Sequence, residues 1–317
     1  MPSLFLTEYI KSNMFIQDLH RELTDHDVNF DLIVSDINYS DCPILCINPD
    51  NKPESISLLS ARRDAISVAK HPLIILNELN LNFIEPILQL LNNKEYVTII
   101  NIHTWLWSYG GKLSTEIDDL NLITNLNFNT FEPIDLENMW NIFKHSSIEN
   151  GKQYIRLLHK EMPDAIFNVD EIWIIDASML ENLDSISLKT YWFAWNDWVI
   201  LTTGSLFATA IQTWEFLQNH NKQISIFILQ KLNSQRTKEM IDNIKNSWRL
   251  FIIIDHNDTS LLKKQIESRM EKLNLHDIQL NIICPKYENL TTILNEYQEE
   301  QSDFNPEWLS QRIISKL

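Results

Sequence analysis

Chemistry in this chain has to come from a few polar residues set among apolar runs. Arg156 lies inside the apolar segment Tyr154 to Leu158. Its planar guanidinium suits a phosphate or a carboxylate, and one of the chain's many acids would occupy it equally well. Glu54 follows Pro53 at the start of a helical pattern, where the helix dipole favours an acid. In an apolar site the same carboxyl would have its pKa raised and could share a proton. Asp255 and His256 follow an apolar run and form an acid/base pair by type, although neighbours in sequence need not point together. His103, His159 and His256 lack Cys or carboxylate partners at metal-ligand spacing, so no metal site is expected from them. Cys42, Cys46 and Cys284 read as reduced thiols. The Trp105/Trp107 and Trp192/Trp195 pairs read as packing or interface residues.

The elements that must position these residues are clearest at Asp197 to Leu217. An apolar run, Trp198 to Leu201, meets a Thr202-Thr203-Gly204-Ser205 turn and then a helical pattern with Phe207, Ala208, Ala210, Ile211, Trp214 and Leu217 on one face. Strand, glycine turn and helix make half of a βαβ unit. Gly204 is one of four glycines, so a backbone conformation reserved for glycine is expected there. The turn lacks the rest of a dinucleotide or P-loop signature, and scarce glycine disfavours phosphate-cradling loops generally.

Elsewhere the pattern alternates. Residues 4 to 22 read as an amphipathic helix with Leu6, Ile10, Met14 and Leu19 inward. Strands are expected at 30–34, 73–76, 97–102, 129–131 and 154–158, with helices at 54–70, 83–91 and 136–146 between them. After an interrupted stretch at 160–190, which holds one strand at 171–176, alternation resumes. Strands follow at 198–201, 224–229, 250–254 and 278–283, and helices at 206–219, 235–246, 259–273, 290–298 and 306–317, the last capped by Asn305 with Pro306 in its first turn. Short apolar strands alternating with helices predict an α/β chain of two doubly wound domains, 1–185 and 186–317.

Composition narrows the function. The 317 residues are 44% hydrophobic with a formal net charge of −17, which argues against nucleic acid or an anionic membrane as partner. Neither a transmembrane run nor a charged-then-apolar leader is visible, so the expected location is cytoplasmic.

Several stretches, taken in order, resemble the transketolase-like thiamine diphosphate enzymes. The likeness is to the half made of a pyrimidine-binding domain and a C-terminal domain, which forms a separate chain in split transketolases and in the beta subunits of 2-oxo-acid dehydrogenases. Residues 109–140, YGGKLSTEIDDLNLITNLNFNTFEPIDLENMW, are similar to a family stretch with a glycine turn, an acidic helix and a strand closing on Pro-x-Asp, here Glu132, Pro133 and Asp135. GKQYIRL, 151–157, resembles the next strand with Arg156 retained, and PES, 53–55, stands where the family's catalytic glutamate motif is expected. Residues 198–217 resemble the opening of the C-terminal domain. Asp255 and His256 stand at the places of an acidic residue and a histidine in a later segment, whose glycines are missing.

The resemblance implies a pyrimidine-binding-type parallel sheet followed by a C-terminal-type mixed sheet. It also implies a thiamine diphosphate-dependent transferase acting on a ketose phosphate or a 2-oxo acid. Glu54 would hydrogen-bond N1′ of the cofactor's aminopyrimidine as catalytic and cofactor-binding residue. Phe83 is the candidate for the stacking aromatic, since Asn80 falls near the expected place; Ser114, Thr115 and Arg156 are the substrate-binding candidates, Thr115 standing where a histidine is usual. No Gly-Asp-Gly motif is present, so thiamine diphosphate with Mg2+ is expected only in complex with an alpha-type, diphosphate-binding subunit, in a heterotetramer. The alternative is a catalytically degenerate relative kept as a structural or regulatory partner.

Overall fold

The computed structural model describes residues 4–6, 9–11, 30–35, 63–77, 89–103, 123, 126–134, 139, 142, 151–158, 161–163, 166–168, 189–191, 198–220, 225–229, 232, 249–253, 261–276, 278–283 and 305–316. The chain divides into two compact units, one of 1–105 with 123–185 and one of 106–122 with 186–317.

In the first unit five strands make a wholly parallel sheet: β3 (Leu32–Ser35), β4 (Pro72–Asn77), β5 (Val97–His103), β6 (Asn129–Phe131) and β7 (Lys152–Leu158). Their order across the sheet is β3-β4-β5-β7-β6. The chain steps in one direction as far as β6, then turns back to place β7 inside it. Ile74, Ile75, Ile99, Ile100 and Ile155 are fully buried, as strands covered on both faces require. Burying each such side chain contributes roughly 1.5–3 kcal/mol. Helix α1 (Arg63–Val68) precedes β4, and Pro72, which cannot continue a helix, opens the strand.

The helix expected over residues 4–22 is not what forms at its start. Leu4–Leu6 is strand β1 and Tyr9–Lys11 strand β2, and they pair antiparallel with β9 (Ile166–Asn168) and β8 (Glu161–Pro163). The spacing of Leu6 and Ile10 fits a helix, but Phe5, Tyr9 and Ile10 are also good strand formers, and pairing with a segment some 155 residues away overrides a weak local preference. The same pairing ties part of the interrupted stretch at 160–190 to the first unit.

The amino ends of the sheet are tied by side chains. The Asp31 carboxylate accepts from the backbone N–H groups of Lys70 and His71, and His71 Nε2 lies 3.2 Å from Thr98 Oγ1. Lys94 donates to Ser67 O at 2.6 Å and to Ala69 O beyond the end of α1, and Lys152 donates to Asn92 O at 2.7 Å. Burial lowers the His71 pKa, against an opposing pull from Asp31. A histidine harder to protonate folded than unfolded loses stability as pH falls below its ordinary value near 6.5. Thermal midpoints measured from pH 7.5 to 5.5 should therefore fall more steeply in the wild type than in His71→Gln. Equal slopes would remove His71 as the cause.

Glycine is spent differently from expectation. Gly204 opens a short 3-10 turn, Gly204–Leu206, and is not among the positive-φ residues. Among the described residues the glycine with positive φ is Gly151, at 143°, immediately before β7. Asn127 and Asn274, at 58° and 53°, take the left-handed positions after helical segments that glycine usually fills. A Cβ at Gly151 would meet nothing closer than Asn129 Nδ2 at 3.9 Å, so Gly151→Ala costs backbone strain alone. The expected loss is about 1–3 kcal/mol in urea unfolding.

The second unit holds a mixed sheet of order β10-β12-β11-β13-β14. Its strands are β10 (Lys189–Tyr191), β11 (Trp198–Thr203), β12 (Ser225–Leu229), β13 (Arg249–Ile253) and β14 (Gln279–Ile283). All are parallel except the edge strand β10. Helix α2 (Phe207–Asn219) buries Phe207, Ala210, Ile211, Trp214 and Leu217, the face its spacing predicts. Helix α3 (Leu261–Lys272) places Leu262, Ile266 and Met270 against Val199, Leu201, Leu250 and Ile252. Helix α4 (Pro306–Ile314) packs on α2 and is capped as expected, Asn305 Oδ1 accepting from Glu307 N–H at 2.9 Å and Trp308 N–H at 3.2 Å. The expected architecture, two α/β domains with a parallel and then a mixed sheet, is the one that forms.

Candidate functional site

In open parallel sheets ligands bind beyond the carboxyl ends of the strands. From the middle of the first sheet toward that end, register places one set of polar side chains together. Thr130 pairs with Tyr154, and Asn101 with Arg156. Alternation then puts Asn101, Thr130, Tyr154 and Arg156 on a single face. Glu132 lies two residues beyond Thr130, where Pro133 follows it and β6 has ended. Its carboxylate reaches Arg156, with Oε1 3.0 Å from Nη1, and the side chains are 0% and 2% exposed. Asn101 Nδ2 donates to Tyr154 Oη at 2.7 Å.

This is a dry cation–anion pair on two adjacent strands. A pair of this kind needs its remaining donors and acceptors filled, because desolvation costs several kcal/mol per ion. Around it the account is incomplete: among the described residues, Asn101 Oδ1 and Thr130 Oγ1 are buried side-chain atoms without a hydrogen-bond partner. Such acceptors typically cost 1–3 kcal/mol unless water or a ligand donates to them.

Of the residues singled out from sequence, Arg156 is thus placed on β7 and held by Glu132. Glu54, Phe83, Ser114, Thr115, Asp255 and His256 lie outside the described residues. Sequence reading gave Glu132 only a place in a motif and missed Asn101 and Tyr154. The available signal was a polar residue inside the apolar run VTIINIH, a position that needs a partner when both faces are covered.

At the carboxyl end of the second sheet, Thr202 Oγ1 donates to Ile253 O at 3.0 Å, tying β11 to β13. Thr203, buried, is the N-cap of the 3-10 turn without a side-chain cap bond. The turn is an internal structural join. Among the described residues no group of three or more His, Cys, Asp or Glu could hold a metal ion, and no helix is long and apolar enough to cross a membrane.

No family model matches the chain, and no curated protein matches it. Solved structures do. A structure described as a split-gene transketolase, inactive beta4 tetramer, superposes with a TM-score of 0.62 at 15% identity, over 96% of this chain and 95% of that one. A transketolase from Campylobacter jejuni gives 0.66 at 12% identity, over 99% of this chain and 48% of its own. A transketolase mutant from Pichia stipitis gives 0.62 at 11%, over 99% and 47%. The chain spans about half of these last two and nearly all of the first. Its fold is transketolase-like.

Proposed function

We propose that this chain is the pyrimidine-binding, beta-type half of a heteromeric thiamine diphosphate-dependent transferase acting on a ketose phosphate or a 2-oxo acid. The observation that carries the reading is the extent of the likeness: nearly all of a split-gene chain and about half of the unsplit enzymes. When bound, thiamine diphosphate supplies the stabilised carbon nucleophile that proteins lack. The sequence has no Gly-Asp-Gly, so the diphosphate end, with Mg2+, is assigned to an alpha-type partner. This chain's part is the pyrimidine end. Glu54 holds a proton against N1′ of the aminopyrimidine, Phe83 packs on the ring, and Ser114 and Thr115 hydrogen-bond the substrate. Arg156, the third substrate-binding candidate, is held in its ion pair with Glu132. A cytoplasmic heterotetramer follows from pairing both halves twice.

The experiment is affinity purification of the full chain from its native source, followed by assay of the recovered complex with thiamine diphosphate and Mg2+. Co-purification of a polypeptide carrying Gly-Asp-Gly and a downstream Asn, with cofactor-dependent turnover, supports the proposal. A stable monomer with no such partner overturns it.

A second reading, a catalytically degenerate structural or regulatory partner, is favoured by one observation: the Arg156 cation is neutralised internally and buried. It predicts the same complex without any turnover that depends on Glu54.

A further inference from the structure

The sheet register brings a carboxylate and a guanidinium together in the carboxyl-terminal half of the first sheet, the half nearer the end at which an open α/β fold receives its ligands. A guanidinium fork recognises a carboxylate or a phosphate through the same charged hydrogen bonds. Here the chain supplies the carboxylate itself. Glu132 Oε1 stands 3.0 Å from Arg156 Nη1, and neither side chain is more than 2% exposed. We propose that Glu132 is a specificity-determining residue: its carboxylate fills the position of an anionic ligand group and closes Arg156 to phosphate and carboxylate substrates. The proposal rests on the ligand-binding role given above to this end of the sheet.

Two observations bear on what the closed site accepts. Asn101 pairs with Arg156 in register and Thr130 with Tyr154, so both lie beside the ion pair on its own face. Asn101 Oδ1 and Thr130 Oγ1 are buried, and among the described residues nothing donates to them. Asn101 Oδ1 only accepts and the Thr130 hydroxyl accepts or donates, so an uncharged hydroxyl can satisfy both. The Glu132 carboxylate disfavours a second negative charge at this point, and among the described residues of the cluster Arg156 carries the positive charge that could reverse the preference. Removing the Glu132 carboxylate unmasks it.

The test compares the full-length wild type with Glu132→Ala, Glu132→Ser and Glu132→Ala/Arg156→Met. Thermal midpoints are measured in sodium formate and in inorganic phosphate against sodium chloride at equal ionic strength. The proposal expects no anion-specific shift in the wild type, a rise of several degrees in Glu132→Ala with formate or phosphate, and loss of that rise in the double variant. Glu132→Ser, which removes the charge and most of the side chain, serves if the alanine variant does not fold by circular dichroism. An Arg156-dependent phosphate shift in the wild type overturns the proposal, as does a folded Glu132 variant indifferent to both anions.

In the reconstituted complex, Glu132→Ala should raise the kcat/KM ratio of a phosphorylated over an unphosphorylated ketose at least about tenfold, equivalent to about 1.4 kcal/mol. An unchanged ratio also overturns it. Absence of turnover with every substrate counts against the functional reading alone, because the anion titration of the isolated chain still reports on Glu132.

Discussion

Glu132→Leu is expected to lower the free energy of unfolding by about 3–5 kcal/mol, because it breaks a buried ion pair by removing the carboxylate 3.0 Å from the Arg156 guanidinium. Arg156→Met should cost a similar amount by stranding a carboxylate that is 0% exposed. The two losses should not add. With both charges removed, no ion remains to be desolvated, and apolar replacements of similar volume typically return such a site to neutral or better. The double variant Glu132→Leu/Arg156→Met is therefore expected within about 2 kcal/mol of the wild type in urea unfolding. Single variants that each cost less than about 1 kcal/mol would mean that the pair is solvated like a surface ion pair.

Glu54→Gln in the reconstituted complex is expected to reduce kcat by about 10²–10⁴-fold, the range for loss of a positioned proton donor or acceptor. Glutamine keeps the size and one hydrogen bond but cannot hold the shared proton. Assembly with the partner should be unchanged by gel filtration, and substrate KM should change much less than kcat. Turnover equal to the wild type would dismiss Glu54 as the catalytic residue. Loss of assembly instead would show that Glu54 acts in the interface.

The fold was legible where burial writes the sequence. Runs such as LIIL at 73–76 and FIII at 251–254 can be nothing but core, and the strands found at Pro72–Asn77 and Arg249–Ile253 contain most of them. Segments whose conformation depends on remote partners were not legible. Leu4–Leu6 and Tyr9–Lys11 become strands because Ile166–Asn168 and Glu161–Pro163 return beside them, a pairing no local window contains. Gly204 shows the same limit at one residue: rarity pointed to a special backbone, yet the positive φ falls at Gly151.

At the site, the fork of Arg156 could be read as waiting for a substrate or for an acid. Choosing between them requires the β6–β7 register, which sets Thr130 opposite Tyr154 and so carries Glu132 to Arg156. Asn101 and Tyr154, 53 residues apart, meet for the same reason. Polar residues inside apolar strands announce that partners exist. They do not say which.

The central claim, that this chain supplies only the pyrimidine end of a shared thiamine diphosphate site, is tested most directly by calorimetric titration. Thiamine diphosphate with Mg2+ is added to the chain alone, and then to the chain mixed with the subunit recovered by co-purification. The account predicts no saturable heat from the chain alone and saturable binding, about one cofactor per pair of chains, from the mixture. Tight binding by the chain alone, or none by the mixture, would contradict it.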